Sequence, residues 1–261
     1  MSVTTLSGGR VSRDRTVVAG ALLSVTALAW LSLALRADPM GGGSMDPMDT
    51  MSLHAWSPAD YALTWTMWVV MMAAMMLPSI IPLTQVYVAV ARKARRQGSP
   101  VPATAVFVSG YLLVWAAFSL VATTAQLLLD RAALLTGSIR TTSLVVAGGL
   151  LLATGVYELT PLKRSCLRAC RGPVDFVARH WRQGTLGAVR LGVAAGAFCL
   201  GCCAMLMALL FVGGVMNLLW VAGIAAFVLV EKLVPAADVA SRVGGFVMAA
   251  AGLGLLAAAA V

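Results

Sequence analysis

Residues 65–79 read Trp65-Thr66-Met67-Trp68-Val69-Val70-Met71-Met72-Ala73-Ala74-Met75-Met76-Leu77-Pro78-Ser79, a stretch without a single charge. It lies inside a longer apolar segment, Tyr61–Ala91, that exceeds the roughly 20 residues a helix needs to cross a hydrocarbon core of about 30 Å. No alternating pattern of a barrel strand runs through it. Lipid demands that backbone polar groups be satisfied within the segment, so the segment reads as a membrane-spanning helix.

Working outward, six more stretches read as spans: Thr16–Leu35, Thr104–Leu129, Thr142–Tyr157, Gly187–Phe211, Gly214–Val234 and Arg242–Ala260. Thr142–Tyr157, the fourth span in chain order, is short for a full crossing. The expected fold class is an all-α, polytopic helical membrane protein of about seven transmembrane helices, forming one membrane domain over residues 1–261. Composition agrees, with 60% hydrophobic residues, 11% charged residues and a mean hydropathy of +0.90. A soluble domain carries about 25% charged residues, so a water-facing globule is excluded. Disorder and a disulfide-stapled secreted module are excluded with it.

The chain carries 19 Lys and Arg against 10 Asp and Glu, and their placement sets the expected topology through the positive-inside rule. With a cytoplasmic N-terminus, 16 of the 19 basic residues fall inside, leaving Arg36, Arg131 and Arg140 outside. This gives a cytoplasmic tail at residues 1–15, a Met-rich exterior loop at 36–60, a basic cytoplasmic loop at 158–186, and an exterior C-terminus. The first span is longer than the ~7–15-residue apolar core of a signal peptide and reads as an uncleaved anchor. Anionic lipid explains the basic excess. Membrane lipid is thus the expected partner, and no nucleic-acid motif is present.

Sulfur is the second theme. Five methionines occur within Met67–Met76. On a helix Met67, Met71 and Met75 form one row, and Met72 and Met76 a second row beside it. Pro78 cannot donate to the Ala74 carbonyl, nor Pro82 to that of Pro78. In the fifth span Cys199, Cys202 and Cys203 share one helical face, and Met207 extends it by a turn. Thiolate and thioether are soft donors that select Cu(I) over hard cations. A thiolate also offsets the ion's charge in a low-dielectric interior. The plainer reading is that methionine and buried cysteine are adaptable core fillers.

Two further sulfur sets fall in connections. Met45, Met48, Met51 and His54 recur every third residue in the first exterior loop, where Gly and Pro oppose a helix and a string of donors can fold around one ion. Cys166 and Cys170 form a C-x-x-x-C pair in the basic loop, facing the same way if helical, with Lys163, Arg164, Arg168 and Arg171 expected to favour their thiolates. Glu158 and Glu231 stand at the ends of spans four and six. There they are either functional or simply solvated or paired with a basic neighbour.

At Met67–Ser79, at Tyr157–Lys163 with Cys166, and at Cys199 through Glu231 and Lys232, the chain resembles a bacterial family of unknown function described as predicted metal-binding integral membrane proteins. The resemblance covers most of the chain, from the second span to the sixth. It implies metal binding and no particular reaction.

Three readings follow. The first is a non-enzymatic protein that binds Cu(I) for transfer or transport across or within the inner membrane, with a periplasmic or cytoplasmic metallochaperone as partner. The second is a membrane thiol–disulfide oxidoreductase, and the third a non-catalytic assembly or scaffold subunit for a metalloenzyme. No catalytic residue is assigned and no nucleotide-binding motif is present.

Overall fold

The structure, a computed structural model, describes residues 4–36, 56–98, 102–132, 143–234 and 238–260. Among these all regular structure is helical. In chain order the helices are α1 (Thr4–Arg36), α2 (Pro58–Arg96), α3 (Thr104–Arg131), α4 (Leu144–Leu159), α5 (Pro161–Arg171), α6 (Pro173–His180), α7 (Gly184–Ala208), α8 (Leu210–Gly213), α9 (Leu218–Leu233) and α10 (Asp238–Ala259).

Five segments are long and apolar enough to cross a membrane: Asp14–Leu35, Pro58–Arg96, Thr104–Arg131, Gly184–Gly213 and Asp238–Ala259. The other two expected spans differ. α4 and α9 have 16 residues each, about 24 Å at ~1.5 Å per residue, which is short of the core thickness. α4 turns by 65° into α5, and only the bent pair taken together counts as a sixth candidate. The turn has a local cause. Thr160 is extended, caps α5 by accepting from the Lys163 backbone N–H at 3.3 Å, and precedes Pro161; a residue before proline is disfavoured in the helical region. The expected basic loop at 158–186 carries two short helices, α5 and α6.

α2 runs through both Pro78 and Pro82 without a break. The Ala74 carbonyl that Pro78 leaves free accepts instead from the Trp30 indole of α1 at 3.2 Å. A Ser57–Asp60 capping box starts the helix. Apolar side chains such as Leu28, Leu113 and Phe246 remain exposed, as helices bathed in lipid leave them.

Glycines set two close helix contacts. Along α4 and α10, Gly155 faces Gly245 and Gly148 faces Gly252. A Cβ on Gly155 would stand 2.6 Å from the Gly245 carbonyl oxygen, and one on Gly148 would stand 2.9 Å from that of Gly252. Between α3 and α7, a Cβ on Gly192 would meet the Tyr111 backbone nitrogen at 2.9 Å, and one on Gly196 the Tyr111 carbonyl oxygen at 3.1 Å.

A buried ion cluster ties α4, α5, α9 and α10 together. Lys163 Nζ lies 2.7 and 2.9 Å from the two carboxylate oxygens of Glu231 and also pairs with Glu158. All three side chains are buried. Ser241 of α10 donates to Glu231 Oε1 at 2.6 Å, and Arg171 donates to the Glu231 carbonyl oxygen at 2.7 Å and pairs with Asp238 at 2.6 Å. Glu158 and Glu231 are thus paired with a basic neighbour and not solvated.

Two predictions follow from this packing. Gly155→Ala lowers the unfolding midpoint in detergent, with an overpacking cost of about 1–3 kcal/mol, while Gly149→Ala, with open space around its Cβ position, leaves the midpoint in place. Lys163→Met strands two buried carboxylates and costs about 3–5 kcal/mol. Adding Glu158→Gln and Glu231→Gln recovers part of that loss, as read by the same denaturation assay.

Candidate metal centre

Cys199 sits on the face of α7 that Gly192 and Gly196 begin, and the close approach of α3 along that face brings Tyr111 against it. The Tyr111 hydroxyl lies 3.0 Å from Cys199 Sγ and donates to the Met76 carbonyl oxygen at 3.2 Å. From α9, Lys232 places Nζ 2.8 Å from Cys199 Sγ, 3.4 Å from Ser79 Oγ and 3.9 Å from Met76 Sδ. Lys232 is buried, although its position at the end of an apolar run read as an interfacial charge. A cavity of about 30 Å³ is lined by Ser79, Tyr111, Cys170, Cys199 and Lys232 among others. That space is enough for a water molecule or a single ion.

Cys202 and Cys203 are also buried. Their thiols donate back to the Cys199 carbonyl oxygen at 3.0 and 2.8 Å, a local bond open to side chains three and four residues on. Cys203 Sγ meanwhile stands 4.0 Å from Met76 Sδ, so a thiol of α7 and a thioether of α2 face one another.

The C-x-x-x-C pair belongs to the same cluster and is not a separate site. α5 packs on α7, and both of its cysteines point there as an i, i+4 pair should. Cys170 lies thiol to thiol against Cys202. Cys166 Sγ sits over Gly201, where an added Cβ would come within 2.9 Å of it; the glycine makes room for the sulfur. The Tyr157 hydroxyl donates to the Gly201 carbonyl beside it. The cations expected to favour thiolates at this pair are engaged elsewhere. Lys163 and Arg171 serve the carboxylates of the ion cluster, while Arg164 and Arg168 bond to the outer backbone and to Ser165. Lys232 is the cation that reaches the cysteines.

The methionine stripe enters the core. Met71, Met72, Met75, Met76 and Met207 are buried, and Met67 is partly buried against them. Two contacts fix how α2 runs past α7 and α8: Met76 meets Cys203, and the Trp68 ring lies 5.3 Å from that of Phe211. Eight residues separate the members on each side, so the helices are antiparallel and in register. That register sets Met72 level with Met207. Met45, Met48, Met51 and His54 lie outside the described residues.

All five cysteines are free thiols. Among the described residues no group of three or more His, Cys, Asp or Glu side chains is gathered at metal-ligand spacing, since two thiols are turned back onto their own helix. Five thiols and the Met76 thioether dominate the cluster, with the Ser79 and Tyr111 hydroxyls beside them. That donor set fits a soft metal ion and offers Mg²⁺ or Ca²⁺ no carboxylate oxygen shell.

Reading from the sequence missed Tyr111, Ser79 and Lys232 as neighbours of the cysteines. The available signal for Lys232 was its place beside Glu231 at the end of an apolar run, where an ionisable residue has to find a partner.

No curated protein and no solved structure matches the chain. Residues 65–255 match the PpoB2 family, described as a copper chaperone, and that range runs from the start of the methionine stripe through the cysteines to the last helix. With most of its length inside that match and its sulfurs gathered in one place, the chain belongs to this copper-chaperone family.

Proposed function

We propose that the protein is a membrane-embedded chaperone for Cu(I), binding the ion between α5, α7 and α2 and handing it to a partner in or beside the inner membrane. One observation carries this reading: every cysteine in the sequence comes to a single place, from two helices, with Met76 beside them. Cu(I) accepts two or three sulfur ligands. Cys199 and Cys203 of α7, Cys170 and Cys202 at the α5–α7 contact, and Met76 of α2 offer several such sets, with Cys166 one turn away on α5. Exchange among overlapping low-coordinate sets lets the ion move without ever losing all its ligands, which is what transfer requires.

The thioethers of Met72, Met207, Met71, Met75 and Met67 extend the path along α2 and α7 toward the exterior loop bearing Met45, Met48, Met51 and His54. A thioether is neutral and binds more weakly than a thiolate, so this row suits transit and the thiols suit retention. Capture in the exterior loop, passage along the stripe and delivery by way of Cys166 and Cys170 to a cytoplasmic metallochaperone form one consistent route. The same ladder serves the reverse direction with a periplasmic partner.

A second reading has one observation in its favour. Cys170 and Cys202 face each other across two helices, which suits thiol–disulfide exchange better than an i, i+4 pair on one helix, whose separation disfavours a relaxed disulfide.

The protein purified under reducing conditions is expected to hold about one Cu(I) per chain. The Cys199→Ser, Cys202→Ser, Cys203→Ser triple variant is expected to lose most of it, and Met76→Leu to weaken retention by about tenfold. Equal copper in the wild type and the triple variant contradicts this assignment. Thiol trapping in intact membranes separates the two readings: copper ligands stay reduced whether or not copper is present, whereas an exchanging pair accumulates a Cys170–Cys202 disulfide.

A further inference from the structure

Lys232 is a buried cation whose contacts, among the described residues, include no carboxylate. Its Nζ touches Cys199 Sγ at 2.8 Å, Ser79 Oγ at 3.4 Å and Met76 Sδ at 3.9 Å. The carboxylate next to it in sequence, Glu231, faces away from it and is taken by Lys163 at 2.7 and 2.9 Å. α9 thus sends a negative charge to one side and a positive charge to the other, and the positive charge projects into the sulfur cluster. The small cavity at that point is lined by Lys232 and Cys199 together, so an ion that enters it rests beside the ammonium.

We propose that Lys232 is the charge filter of the cluster: it makes the cysteines accept a soft monovalent cation and reject soft divalent ones. The inference rests on the cluster being the copper site. Sulfur alone does not draw this distinction, because thiolates bind Zn(II) and Cd(II) as well as Cu(I). A fixed positive charge does draw it. Repulsion between Lys232 and an incoming ion scales with that ion's charge and is screened little in a buried site, so a divalent ion meets twice the repulsion that a monovalent ion meets. A copper carrier gains from such a filter because Zn(II) competes for the same thiols.

Silver(I) and cadmium(II) test this, since both are soft and differ in charge. The full-length protein in detergent under reducing conditions is equilibrated with each ion, and bound metal is measured directly, together with the ultraviolet Cd–thiolate charge-transfer band. Wild type is expected to bind Ag(I) and to hold no more than about one tenth as much Cd(II). Lys232→Met and Lys232→Gln are expected to keep Ag(I) and to gain Cd(II) by about tenfold or more. Lys232→Arg retains the charge and is expected to retain the exclusion.

Two results overturn the proposal. One is neutral variants that bind Ag(I) yet exclude Cd(II) as wild type does. The other is wild type that binds Cd(II) as readily as Ag(I), a result that needs no variant and so stands even if the neutral variants fail to fold. Wild type that binds neither ion overturns the copper-site reading itself.

Discussion

Burying an ammonium group in an apolar interior is costly unless it is paired, and Lys163 meets two carboxylates at once. Glu231 holds it with both oxygens and Glu158 pairs from the end of α4. Because Lys163 is on α5, this pairing draws a short helix carrying four positive charges off the surface and seats it against α7. The face of α5 that follows Lys163 inward carries Cys166 and Cys170. Their arrival beside Gly201 and Cys202 is thus a consequence of the ion cluster, and so is the gathering of all five sulfurs. A buried ion pair is weak evidence for net stability. Here its consequence is positional, as it selects one seating of α5 among the many an amphipathic helix could take.

The opposite wall of the site depends on absence of side chains. Gly192 and Gly196 let α3 approach α7 closely enough for the Tyr111 hydroxyl to reach both Cys199 and the Met76 carbonyl. Gly201 performs the same service for Cys166. α2 is held in place by Trp30, whose indole supplies the donor that Pro78 withdraws. Closely packed helices therefore surround the thiols on every side that these contacts define.

Much of this was legible from the residues. A chain with so little charge had to be a helical bundle in lipid, and the rows at Met67–Met76 and Cys199–Cys203 lie in the core where their spacing placed them. Two of the expected spans are shorter helices than read, because hydropathy counts apolar residues and does not see Thr160-Pro161, which turns α4 into α5, or Gly214 and Asn217, which delay the start of α9. The C-x-x-x-C pair was assigned to a water-facing loop for a related reason. Lys163, Arg164, Arg168 and Arg171 read as surface charge until Lys163 is seen to have buried carboxylates waiting from helices remote in sequence. Lys232 was counted with the cytoplasmic cations on the same grounds. Pairing between distant ionisable groups is a tertiary fact, and no local pattern carries it.

The central claim is that cysteines from α5 and α7 form one site. Alkylation footprinting by mass spectrometry, with and without one equivalent of Cu(I), addresses it most directly. If the claim holds, a single equivalent protects Cys166 or Cys170 together with Cys199, Cys202 or Cys203, and protection on both helices rises in step. Protection confined to one helix, with the other fully reactive at saturation, would contradict it.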